Sequence, residues 1–325
     1  MGATGYPVCS NGTKGDGWEY SGGILTLTNG SYDFNYFNPK THGGGSTEQT
    51  VRCEIKLEQN ATITGGDFEA NVTNDKGTIS GGFFADGVTN SGTITGNGTF
   101  AGKVKNITGG TIPGGTISGG TFYGSVENLN TIEKGTFEGN VTNGGTISGG
   151  TFQSKCSVEN YIYIENGTFY GSVKNYSTIE NGTFNGTVTN EGANATIKNG
   201  TFNGDVTNSG TITGNGTFNG TVTNNAGGTI SKGTFKSSVE NNALGTIAGG
   251  TFEANVTNNQ GGNITNGTFE KEVTNNDGGE ISGGTFKGTV LNGNGIITGG
   301  IFAAGLSRND GSVTGGVFNG KTGLT

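Results

Sequence analysis

From residue 62 to the end of the chain, three apolar residues return in a fixed order. Ile stands five residues before Phe, as in Ile79/Phe84, Ile147/Phe152 and Ile247/Phe252. Val follows Phe by four, at Val141, Val188 and Val256. Each is flanked by Thr, Ser or a charged residue, the period-two alternation of a strand with one buried face. Gly-Gly, Asn-Gly or Lys-Gly lies between Ile and Phe and predicts a bend with positive φ. The repeated phrase is Thr-Ile-x-x-Gly-Thr-Phe-x-Gly-x-Val-x-Asn, clearest at Thr146–Gln153 and the residues after it.

The phenylalanines set the period. From Phe68 to Phe318, 16 of the 19 Phe occupy this one position, with successive gaps of 15–18 residues except for 22 between Phe100 and Phe122. A repeat this short reads as a solenoid, in which one turn cannot bury its apolar face but stacked turns can. The expected fold class is all-β: a single-stranded parallel β-helix or β-solenoid with about 15–18 residues per rung and three short sides carrying Ile, Phe and Val inward. Helices are excluded in the array, because Gly and β-branched residues are too frequent and no 3.6-residue stripe appears.

Two further positions follow from the same register. Two residues after Val the chain carries Asn, from Asn74 to Asn292. This residue reads as a stacked turn residue whose amide bonds those above and below. Two residues after Phe the residue is Gly, Ala or Ser, except at Asp86 and Lys271. A small residue there either makes a corner or leaves room beside the phenyl ring.

Residues 1–60 do not repeat. Leu25-x-Leu27, Tyr32-x-Phe34-x-Tyr36 and Val51-x-Cys53-x-Ile55-x-Leu57 alternate as half-buried strands. The domain reading is therefore an irregular β cap over 1–60 and a repeat array over 61–325. The cap would cover the first exposed edge, with Trp18 packed inside it and His42 solvated in a Gly-rich loop.

Composition changes the picture in what it removes. Gly is 69 of 325 residues and hydrophobic content only 29%, values that alone suggest disorder; the periodicity overrides them. The net charge of -8 and scattered Lys and Arg exclude a phosphate-binding stripe, so nucleic acid is not an expected partner. No apolar run reaches membrane-spanning length, so no membrane insertion is expected. The amino terminus shows no signal-peptide pattern. The three cysteines match no zinc spacing. A Cys9–Cys53 disulfide and a small buried Cys53 are both open readings.

The repeat resembles those of bacterial cell-surface β-solenoid proteins with Gly-Thr-Phe-x-Gly-x-Val-x-Asn arrays, and Gly17-Trp18-Glu-Tyr-Ser-Gly-Gly-Ile-Leu25-Thr-Leu27 is similar to the first strands of such modules. The resemblance covers nearly the whole chain. It implies a secreted, surface-displayed rod, some relatives of which bind polysaccharide. It carries over no site residue.

Candidate chemistry is sparse. Glu69, Glu138, Glu253 and Glu270 follow Phe, and Glu127, Glu159 and Glu240 follow Val. These are outward and dispersed, unlike the clustered acids of a calcium-dependent polysaccharide lyase or a glycosidase pair. The chain is accordingly expected not to be an enzyme, with no cofactor and no metal; a lyase-like activity is the first alternative. The five Tyr of the array are Tyr123, Tyr161, Tyr163, Tyr170 and Tyr176. Exposed aromatic rings stack on sugars, so these five are the expected glycan-binding residues. A third reading is ice binding through Thr62-Ile-Thr64, Thr93-Ile-Thr95 and Thr211-Ile-Thr213, columns interrupted by Glu133, Glu180, Lys198 and Ala248. Asn-x-Thr triplets such as Asn166-Gly-Thr168 are produced by the repeat itself. The expected role is an extracellular structural and adhesive rod on a bacterial surface, its partner a polysaccharide or host glycan. Its last rung would expose a pairing edge, so a continuation or contact with another domain is expected there.

Overall fold

The computed structural model describes residues 14–34, 50–107 and 115–319. Every element among them is a β-strand, and the strands wind as a parallel β-solenoid of about 15 stacked turns. The chain divides into two compact units, Met1–Val158 and Glu159–Thr325.

The first unit opens on β1 (Lys14–Gly15), β2 (Trp18–Ser21) and β3 (Ile24–Leu27), joined as antiparallel pairs with Trp18 opposite Leu27. Trp18 is buried. Parallel winding starts at β3, which pairs with β6 (Glu54–Leu57) through Leu25↔Ile55 and Leu27↔Leu57. Between them, β4 (Gly30–Asp33) places Tyr32 on Ile63, and β5 (Thr50–Val51) places Val51 on Phe68. Strands β3 to β6 thus place their apolar residues in the same inward positions as the repeat. His42 and Cys9 lie outside the described residues. Cys53 is buried and disulfide-bonded.

Each regular rung has three short strands: Thr-Ile, Thr-Phe and Val-x-Asn. In the first unit Thr78–Ile79, Phe83–Phe84 and Val88–Asn90 form one rung, paired in register with the next at Ile94, Phe100 and Val104. The stretch Ile107–Phe122 returns to register with Thr93↔Thr116 and Phe100↔Phe122; residues 108–114 within it lie outside the described ones. In the second unit the same register runs from Val173↔Val188 to Val273↔Val290.

The core is a set of ladders. Phenyl rings of adjacent rungs stack nearly parallel, for example Phe84 on Phe100 at 4.9 Å and 6° in the first unit. Phe202 on Phe218 at 4.7 Å and 7° is the equivalent in the second. Ring stacking follows from the rung spacing, since in-register parallel strands lie about 4.8 Å apart. Burying each ring contributes about 2–3 kcal/mol.

The bend between Ile and Phe has the expected positive φ. At Gly250 φ is +110°, and a Cβ would stand 3.1 Å from Cε2 of Phe235. Glycine here both turns the chain and lets it lie against the phenyl ladder. The small residue two after Phe has a different cause. A Cβ on Gly204 would meet the Gly186 carbonyl oxygen at 2.3 Å. The position is a corner where backbones of successive rungs touch, and it does not make room for the ring.

The recurring Asn corrects the expectation of a turn residue. It ends the Val-x-Asn strand, as in Val206–Asn208, and points inward. All fourteen from Asn74 to Asn292 are completely buried. None has a positive φ; among the described residues, the non-glycine ones that do are Asn60, Leu244 and Asn294. The amide ladder itself is as expected. Nδ2 of each Asn donates to Oδ1 of the next: Asn74 to Asn90 at 2.7 Å and Asn90 to Asn106 at 2.8 Å in the first unit. Asn208 to Asn224 and Asn224 to Asn241, both at 2.7 Å, continue the pattern in the second. The second amide hydrogen goes to a backbone carbonyl, Gly210 for Asn208 and Gly228 for Asn224. Each rung therefore has four inward residues, and the carbonyl of the polar one finds its side-chain donor only in the neighbouring rung. The ladder's first member shows this: Leu57 lies below Asn74, and Asn74 Oδ1 is buried with no hydrogen-bond partner.

Candidate functional site

The residue after the buried Asn leaves the strand at a corner, where it is half-buried or exposed. In two adjacent rungs of the second unit it is Tyr, at Tyr161 and Tyr176. The Tyr176 amide donates to the Asn160 carbonyl at 2.8 Å, which fixes the two residues one rung apart. Their rings stack at 4.9 Å and 9°. Tyr161 is 46% exposed, and beside it Ile162 is 52% exposed.

Charged side chains frame the pair. The Tyr161 hydroxyl donates to Glu159 Oε2 at 3.1 Å. Lys174 Nζ lies 5.3 Å from the Tyr176 ring centroid and 2.9 Å from Glu191 Oε2. The strand that follows repeats the chemistry: Tyr163 pairs with Thr178 in the ladder, and its hydroxyl donates to Glu180 Oε2 at 3.4 Å. Lys198 Nζ reaches the same oxygen at 2.8 Å. The hydrogen bond to Glu159 raises the Tyr161 phenol above its ordinary range, and partial burial, then Glu180, raises Tyr163. Contact with Tyr176, then Glu191, raises the Lys174 ammonium. Both phenols stay neutral donors and the lysine stays charged across the physiological range.

The structure thus joins Tyr161, Tyr163 and Tyr176 along one edge. Tyr170 is 48% exposed but follows Phe169, at a different corner of the rung. Tyr123 is 53% exposed at the equivalent corner in the first unit, where the next rung carries Glu138. The glutamates and lysines around the tyrosine edge were invisible as partners in sequence. Their signal is spacing: Glu180 and Lys198 each follow an inward Ile and so share a column.

The irregular stretch after Phe152 has a structural reason. Its extra residues form a turn, with the Cys156 amide donating to the Gln153 carbonyl at 2.9 Å. The turn tucks Cys156 into the core, and burial pushes its thiol up to about 12. This free thiol is packing, not a nucleophile.

Threonine columns are longer than the Thr-x-Thr pattern suggests. Thr62, Thr78, Thr93, Thr116, Thr131 and Thr146 pair in unbroken succession in the first unit. In the second, the Thr before Phe is continuous from Thr168 to Thr285. These side chains are half-buried. Among the described residues, no group of three or more His, Cys, Asp or Glu is placed to hold a metal ion. In comparisons with known proteins, no family model, no curated protein and no solved structure matches the chain.

Proposed function

We propose that the chain is an extracellular structural and adhesive module of a bacterial surface that holds polysaccharide at the Tyr161–Tyr163–Tyr176 edge. The observation that carries this reading is the Tyr161–Tyr176 stack, Tyr161 exposed and Tyr176 half-buried, with exposed Ile162 beside it, set on a strand frame and ringed by carboxylate and ammonium groups. Aromatic and aliphatic surface suits the C–H face of a sugar ring, and the phenols, carboxylates and lysines suit its hydroxyls. Strands locked by ladders on both sides keep such groups pre-positioned, which lowers the entropy cost of binding. The surface location rests on the resemblance of the repeat phrase.

A glycan array followed by affinity electrophoresis in gels containing the retained polysaccharide tests it. Retardation that disappears in Tyr161→Ala/Tyr176→Ala supports the reading; unretarded migration in every polysaccharide overturns it. A second reading, ice binding, draws on the unbroken threonine columns, whose hydroxyls recur at the rung spacing. Thermal hysteresis in the native chain that is lost on replacing Thr201, Thr217 and Thr234 with Val distinguishes it.

A further inference from the structure

The outer face of the Val-x-Asn strands in the first unit carries a shallow groove that the tyrosine reading does not use. Two outward columns form its sides. One holds Lys56, Thr73 and Thr89, which stack in register. The other holds the residues two positions earlier, Glu54, Asn71 and Gly87, with Ile24 at its head opposite Glu54. Gly87 opens the groove, because it stands where the neighbouring rungs place Asn71 and Lys103. The resulting cavity is about 360 Å³, within the range of small-ligand pockets.

We propose that this groove is a binding site for a neutral, hydroxyl-rich sugar ring. Ile24 is 38% exposed and offers an aliphatic surface for the C–H face of the ring. Glu54 accepts hydrogen bonds, Thr73, Thr89 and Asn71 both donate and accept, and Lys56 donates. Lys56 Nζ is held 3.0 Å from Glu58 Oε1, so its charge is matched and two of its three hydrogens remain for a ligand. With Lys56 paired to Glu58, the Glu54 carboxylate leaves the groove net negative, which disfavours an anionic sugar. The mixture of donors and acceptors around an aliphatic patch fits vicinal hydroxyls.

The site is separate from the tyrosine edge and stands or falls without it. Saturation-transfer difference NMR on the full chain with methyl β-glucopyranoside and methyl β-galactopyranoside tests it, with methyl β-glucuronide as the anionic control. Transfer to a neutral glycoside is expected. Gly87→Asn should reduce it at least about fivefold, since it restores the column and fills the groove; a Cβ there meets only the Asn71 amide oxygen closely, at 2.9 Å. Thr73→Ala/Thr89→Ala should weaken it in the same direction, and it removes only outward hydroxyls should Gly87→Asn misfold. Tyr161→Ala/Tyr176→Ala should leave transfer from the groove unchanged. Absence of transfer from either neutral glycoside, equal transfer in the groove variants, or stronger transfer to the glucuronide overturns the proposal.

Discussion

Two aromatic stacks in the second unit have nearly the same geometry and opposite consequences. Phe202 and Phe218 lie 4.7 Å apart at 7°, wholly buried; Tyr161 and Tyr176 lie 4.9 Å apart at 9°, at a solvent-facing corner. The amides repeat the contrast. Asn208 and Asn224 bond inside the rung, while Asn203 and Asn219 bond outside it, Asn219 Nδ2 donating to Asn203 Oδ1 at 2.7 Å. Stacking is thus automatic wherever like residues occupy one position in successive rungs, and its geometry says nothing about its worth. Desolvation decides that. An inner ring or amide has no water to fall back on, whereas an outer one exchanges one polar or apolar contact for another.

The contrast breaks most sharply at the phenyl ladder. Phe218→Ala should cost about 3–5 kcal/mol in denaturant unfolding, because neighbouring rings held by their own rungs cannot close the cavity. A loss below about 1 kcal/mol would mean that the ladder is not the core. The amides come next. Asn224→Leu leaves Asn241 Oδ1 without its donor and should cost about 1–3 kcal/mol. Asn74→Leu should change stability by less than about 1 kcal/mol, since it shifts an already unpaired carbonyl from Asn74 to Asn90. Equal effects at the two sites would remove the ladder-end argument. Outside the rung, Asn203→Ala should stay within about 0.5 kcal/mol of the parent chain. Smallest of all, Tyr161→Ala/Tyr176→Ala and Lys174→Gln should leave the thermal midpoint within measurement error, the tyrosine pair alone abolishing retention by polysaccharide. A lowered midpoint in the tyrosine variant would make that stack structural instead.

Much of the fold was legible because one phrase is repeated many times. Ile147, Phe152 and Val158 could be assigned inward by alternation alone, and the Gly bend by the single residue type that tolerates it. Asn was harder. Its turn propensity is a local property and suggested a corner, but its actual position is set by in-register stacking, which supplies the amide partner no single rung contains. The small residue after Phe was ambiguous for a similar reason, since only the carbonyl of the previous rung shows what a side chain would strike. At the candidate site, exposure of Tyr123 and Tyr170 followed from register. The separation of Tyr170 from the Tyr161–Tyr176 stack did not, because sequence gives the column of a residue and not the corner around which the chain has turned.

Sequence by itself determined the class of fold, the rung length and which apolar residues face inward, since a fifteen- to eighteen-residue period of alternating strands has one economical way to bury its apolar positions. Tertiary structure decided the rest. It made the Asn column a buried hydrogen-bond chain with a defect at Leu57. It gathered Tyr161, Tyr163 and Tyr176 with Glu159, Glu180, Lys174 and Lys198 on one edge, and it opened a groove at Gly87. Each depends on what the neighbouring rung places one strand spacing away, and that distance across the stack corresponds to a full repeat along the chain.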